Sequence, residues 1–168
     1  APTGDPGPAL TGYSRFGATL SFRRIRSLSP SAIRGNPIVT AEARDLWQRA
    51  VRTLNTARSL VQTDPDSAVS RAYYTAFHAV AAVFAAEGRS FRKHSAIEAA
   101  VHRDLVRTGR CPDGVGIAYS KLAKMRSTAD YGSPLHIAPE EAMDAVNNAE
   151  IILNALARLL PEDFASDH

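Results

Sequence analysis

From Thr40 onward, apolar residues return at alternating threes and fours: Ala43, Trp47, Ala50, Leu54, Ala57 and Val61. That spacing predicts an amphipathic helix, capped by Thr40 and ending near Gln62. Asp64-Pro65 supplies an N-cap followed by proline at the first helical position, so a second helix is expected to run to about Glu87 and stop at Gly88. A third is predicted from about His94 to Thr108, ended by Gly109. The loop RCPDGVG leads into a fourth, about 115 to 131. Pro139 with Glu140 and Glu141 opens a fifth, whose stripe reads Met143, Val146, Ala149, Leu153, Leu156 and Leu160. No alternating strand pattern and no internal repeat interrupts this series. The fold class implied is all-α, an antiparallel bundle of four to five helices.

The second helix departs from the usual amphipathic plan. Val69, Tyr73, Ala76, Val80, Val83 and Phe84 cluster on one side, while the other carries Thr75, Ala82, Ala85 and Ala86, with Arg71 and His78 among them. So little polar surface means burial on more than one side. Either this helix is the centre of the bundle, or its second face meets another subunit.

The first 38 residues change the picture of charge more than that of fold. They are rich in Gly, Pro, Ser and Arg, and hold five arginines against one acid, Asp5. Residues 39–168 hold 15 basic and 16 acidic residues, so the net charge of +3 belongs to the first segment and the rest is nearly neutral. A strongly basic nucleic-acid-binding domain is therefore disfavoured. We expect a poorly ordered basic arm at 1–38, a helical domain at 39–161 and a short tail at 162–168. The segment SFRRIR reads either as a phosphate-contacting arm or as an unspecific extension. The single cysteine, Cys111, leaves no intrachain disulfide and suits a reducing compartment. The longest wholly apolar run, AVAAVFAA at 79–86, is far shorter than the roughly 20 residues of a bilayer span. A cytoplasmic protein with no membrane partner is the expectation.

Candidate chemistry lies on inward helix faces. Arg71 and His78 are two turns apart with Tyr74 between them. Arg126 falls within about 20° of the stripe made by Val115, Tyr119, Leu122 and Ala129, so it points inward. Leaving a buried guanidinium unpaired costs several kcal/mol, so Arg126 needs acceptors or water. His94 shares a side with Ile97, Val101 and Leu105. Each residue has a plain structural alternative. Arg126 and Asp130 are spaced as an i,i+4 pair; Tyr73, Tyr74 and Tyr131 suit a core with bonded hydroxyls; His78 suits a satisfied core position and His94 a cap. HExxH, paired ExxH and CxxC are all absent, as are GxxxxGK[ST] and GxGxxG, so neither a dedicated metal site nor a phosphate-cradling loop is indicated, and no cofactor is expected. What remains is an Arg/His/Tyr set suited to phosphate binding and proton movement on RNA.

Three separated segments, SRAYYTAFHAVAAVF (70–84), KHSAIEAAV (93–101) and LAKMRSTADYG (122–132), resemble the small stand-alone HEPN-domain proteins of bacteria and archaea. The resemblance spans about residues 40 to 160. It implies a dimerising helical bundle, often encoded beside a minimal nucleotidyltransferase as a toxin–antitoxin pair. It also implies, for many members, a metal-independent ribonuclease whose motif is an arginine, four to six intervening residues and a histidine at a cleft shared by two subunits. The arginine holds the scissile phosphate and the histidine moves a proton. Arg126 matches the motif arginine. After four intervening residues stands Tyr131, not histidine, and a phenol of pKa near 10 is a poor base at neutral pH. His136 follows after nine residues. Arg71 and His78 have a motif-like spacing on a different helix. The resemblance further implies that a nucleotidyltransferase partner modifies a tyrosine near the motif, for which Tyr131 is the candidate. The site set is thus Arg126, Tyr131, Asp130, His78 and His94 for catalysis and Arg71, Tyr74 and His136 for binding. A catalytically silent module that holds RNA, a nucleotide or the nucleotidyltransferase is the alternative.

Overall fold

The computed structural model describes residues 37–91, 93–130, 136–160 and 164; of residues 37–40 and 130 it describes the backbone alone. Residues 1–36 of the arm expected at 1–38, the tail expected at 162–168 apart from Phe164, and Tyr131 lie outside the described residues; residues 37 and 38 belong to the first helix. Five helices follow in order: α1 (Pro37–Leu60), α2 (Pro65–Ala86), α3 (His94–Ala100), α4 (Asp113–Asp130) and α5 (Pro139–Ala157). They form the antiparallel all-α bundle expected from the periodicity, with no strand among the described residues.

Helix boundaries follow local chemistry. The Asp64 side chain accepts the Ser67 amide at 3.1 Å, and Pro65 needs no partner for a missing N–H. Gly88 and Gly109 both take positive φ, +72° and +73°, where a side chain is strained, and end α2 and the third helix. At the head of α5, the Glu141 carboxylate accepts the Ala138 amide at 3.1 Å. Two boundaries differ from expectation. α1 begins at Pro37, so proline at the first helical position, rather than Thr40, opens the helix. The third helix is not uniform: after Ala100 it widens into a π-helical turn, Val101–Val106.

α2 is the central helix, packed against α1, α4 and α5 and touching α3. Ala72, Ala76, Ala79 and Ala82 are fully buried, as is Thr75, whose hydroxyl is satisfied by the Arg71 carbonyl at 3.1 Å. These small residues allow neighbours to approach closely; a leucine at Ala76 would overpack the centre at a cost of about 1–3 kcal/mol. The first reading of the alanine-rich face therefore holds within one chain. On α1 every residue of the anticipated stripe is buried. On α5 the stripe is shifted by one position at its start: Met143 is exposed, and Ala142, Ala145 and Ile152 line the core with Val146, Ala149, Leu153 and Leu156. The small side chains Ala142 and Ala145 suit the close approach that a methionine would block.

The far end of α2 is held by an ionic lattice. The Arg89 guanidinium lies 4.4 Å from the Phe84 ring centroid and 5.5 Å from that of Phe91, and it pairs with Asp104 and Glu87. Arg103 also bonds Asp104, at 2.7 and 2.9 Å, and Arg110 pairs with Glu87. Hydrogen bonding from Arg103, more than any other cause, holds the Asp104 carboxyl down to about 2. On the next face of the π turn, His102 Nε2 lies 3.0 Å from Ser120 Oγ, which donates to Glu98 at 3.0 Å. Gly116 lies beneath the His102 ring; a Cβ there would stand 2.9 Å from it.

Candidate functional site

α2, α3 and α4 converge near the middle of α2. α2 presents Tyr73, Tyr74, Phe77 and His78, residues i, i+1, i+4 and i+5, whose rings spread over an arc from the α4 side, at Tyr73 and Tyr74, to the α1 side, at His78. α3 begins beside them with His94, and α4 delivers Arg126 from its last two turns. The Phe77 and His94 centroids are 4.5 Å apart, Tyr74 stacks on His78 at 6.2 Å and 28°, and Tyr73 meets Tyr74 edge-on at 5.4 Å. The Arg126 guanidinium carbon lies 5.4 Å from the centroids of both Tyr73 and Tyr74. That geometry is a cation held on two electron-rich ring faces. Tyr73 Oη and His94 Nδ1 are hydrogen-bonded at 2.9 Å. Tyr73 is buried, Tyr74, Phe77, His78 and Arg126 are half-buried, and His94 is exposed. The cluster is therefore closed at its base and open at its rim.

Its electrostatics are set by burial and by two cations. Burial pushes the His78 imidazole down to about 4, aided by the positive charge of Arg49 on α1. Burial and then the Arg126 charge lower His94 as well. Burial raises the Tyr73 phenol, against the opposing influence of Tyr119 and Arg126. At neutral pH the Arg126 guanidinium is thus set beside the neutral Tyr73 phenol and neutral imidazoles. His78 Nδ1 is buried and has no hydrogen-bond partner among the described residues. A cation on aromatic faces, with neutral imidazoles at hand, suits an anion flanked by flat groups, and His94 is the imidazole placed to exchange a hydrogen bond with it.

The structure brings Arg126, His94, His78 and Tyr74 together out of the anticipated set. Arg71 is exposed, and no contact joins it to the cluster among the described residues. His136 is also elsewhere: its Nδ1 lies 3.1 Å from Asp66 Oδ2, and the Ile137 amide is bound by Asp66 Oδ1 at 3.2 Å. That contact docks the α4–α5 connection onto the first turn of α2, at the end of an open groove of about 610 Å³ lined by Lys121, Lys124, Glu141 and Asp144 among others. Asp130 closes α4 by its backbone. Two members were not anticipated. Tyr73 and Phe77 fall on core positions of the helical wheel, and nothing in their spacing separates a core ring from a ring whose polar tip reaches a site.

Among the described residues no three His, Cys, Asp or Glu side chains gather as a metal site would require, and no helix is long and apolar enough to cross a membrane. The chain is 35% identical over 120 residues to the UPF0332 protein of Thermotoga maritima, covering 70% of this chain and 91% of that one. It is 27% identical over 120 residues to a candidate toxin of Methanocaldococcus jannaschii, covering 71% of this chain and 82% of that one. The HEPN domain matches residues 43–159, which takes in all five helices from the second turn of α1 to the end of α5. The match, the helical architecture and the order of its segments agree: this chain belongs to the HEPN domain family.

Proposed function

We propose that the protein is a toxin- or defence-type HEPN protein that acts on RNA at the cluster of Arg126, His94, Tyr73 and Tyr74. The observation that supports this most is the placement of Arg126, 5.4 Å over two tyrosine rings and beside an exposed imidazole. In this reading Arg126 holds a phosphodiester and stabilises charge developing on it. The half-buried rings of Tyr74 and Phe77 accept unstacked bases, which a duplex does not offer. His94 comes from α3 and not from the residues after Arg126, where the family's motif places its histidine. Cleavage then requires no metal. A homodimer that completes the cleft and a minimal nucleotidyltransferase partner belong to the same proposal, on the strength of family membership.

A second reading, a silent RNA-binding module, is favoured by Tyr131 in the histidine position and by the neutral state of both imidazoles. The two are separated by incubating purified protein with single-stranded RNA in excess EDTA, wild type beside Arg126→Ala. Cleavage by the wild type that is lost in the variant is the expected result. Binding without cleavage selects the second reading, and neither binding nor cleavage by folded protein removes both.

A further inference from the structure

Beneath the rim of the site two phenols lie in series. The Tyr119 ring meets Tyr73 at 6.0 Å, and Tyr73 Oη is 2.9 Å from His94 Nδ1. The Tyr119 hydroxyl is fully buried and has no hydrogen-bond partner among the described residues; the polar ring packed against it is that of Tyr73. A buried hydroxyl without an acceptor is costly, so the Tyr119 proton is directed at the Tyr73 oxygen. That oxygen then accepts, and its own proton has one direction left, toward His94 Nδ1.

We propose that this chain, Tyr119 to Tyr73 to His94, fixes His94 as the tautomer that carries its proton on Nε2, so that His94 Nε2–H is a second donor, beside Arg126, to a phosphate oxygen of RNA. Tyr73 is then a positioning residue, acting through His94. The part of the claim that concerns RNA rests on the function proposed above; the part that concerns the tautomer does not. Burial raises both phenols, so each keeps its proton, and the lowered His94 is neutral at pH 7, the state in which a tautomer is defined. The reverse orientation, with Nδ1–H donating to Tyr73, would present a bare Nε2 lone pair and make His94 a base. That orientation is the costlier one, because Tyr73 could then donate only to Tyr119, whose own buried proton would have no acceptor. The neutral histidine therefore serves as a hydrogen-bond donor, the role a phosphate oxygen needs.

The test is long-range proton–nitrogen NMR on the full chain with 15N-labelled histidine at pH 7, without RNA. The wild type is expected to show His94 protonated on Nε2 and bare on Nδ1, and Tyr73→Phe to show a mixture in which the Nδ1–H form appears. A wild-type His94 protonated on Nδ1 would overturn the assignment whatever the protein does to RNA. A single-stranded oligoribonucleotide, too short to fold, is then titrated in, expecting the His94 Nε2 resonance to shift. In parallel, His94→Gln, which keeps an N–H near the position of Nε2, should bind that RNA within about threefold of wild type, and His94→Ala about tenfold more weakly. An unmoved Nε2 resonance on saturation, or Gln and Ala variants that bind alike, would overturn the donor role while leaving the tautomer intact. RNA that does not bind at all would overturn the donor role together with the proposed function.

Discussion

Two arginines lie on aromatic rings of α2, one at its C-terminal end and one near its middle, and the two do different work. Arg89 rests on Phe84 and Phe91 and is ringed by the carboxylates of Asp104 and Glu87, with Arg103 and Arg110 completing the lattice. Phenylalanine offers a face and nothing else, so that cluster ties α2 to the π turn by ring contact and ion pairs alone. Arg126 rests on Tyr73 and Tyr74, whose rings carry hydroxyls, one of which continues into His94. One arginine is a staple and the other is part of a polar system that opens at the surface. The contrast shows that a guanidinium on rings is not diagnostic alone; what the rings and neighbours carry decides its role.

The largest expected difference comes from removing each cation. Arg126→Ala should lower RNA cleavage or affinity about 100-fold, near 2.7 kcal/mol, with a small change in urea unfolding. Arg89→Ala should do the opposite, costing about 1–2 kcal/mol of stability by urea titration and leaving RNA binding at the wild-type level. If both variants lose stability and neither loses RNA, the contrast fails.

Acid separates the two clusters next. His78 faces Arg49 and Asp45 on α1, Tyr74 on its own helix and His94 on α3. Its imidazole takes up a proton near 6.5 when unfolded but only near 4 when folded, so the unfolded chain binds more protons in between. Stability should therefore fall as pH drops from 6.5 to 4, by about 1–2 kcal/mol after allowance for the partly solvated ring. His78→Leu should flatten that slope, as read by unfolding at pH 7, 5.5 and 4.5. The Arg89 end responds lower. Asp104 ionises near 3.8 when unfolded and about 2 when folded, so its contribution is present above 3.8 and lost as pH falls through 2. Asp104→Asn should leave the slope between pH 6.5 and 4 unchanged.

The smallest effect is predicted for His136, a nearly fully exposed partner of Asp66. His136→Ala should change stability by about 0.5 kcal/mol or less and leave RNA binding intact. A tenfold loss of RNA affinity in that variant would extend the site into the groove between α4 and α5.

The fold was legible because periodicity and capping agree along the chain. The α1 stripe, the Asp64-Pro65 start of α2, Gly88, Gly109 and the Pro139 start of α5 each state one boundary or one face. The π turn at Val101–Val106 was not legible, because Val101 and Leu105 keep the spacing of an ordinary helix while the backbone widens between them. Of the site, Arg126 could be seen as a charge on an apolar stripe, and His94, His78 and Tyr74 as polar groups on inward faces. Tyr73 could not. It occupies a core position and is buried, and its hydroxyl matters only because α3 brings His94, 21 residues on, to meet it. A contact of that kind belongs to tertiary packing and leaves no spacing in the sequence.

The most direct measurement is the affinity of a fluorescent single-stranded RNA for wild type, Arg126→Ala and Arg89→Ala across a series of salt concentrations. Arg126→Ala is expected to weaken binding about 100-fold at low salt and to reduce the salt slope by about one phosphate contact, while Arg89→Ala follows the wild-type line. An Arg126→Ala line that overlies the wild type, or a loss confined to Arg89→Ala, would contradict the role given to Arg126.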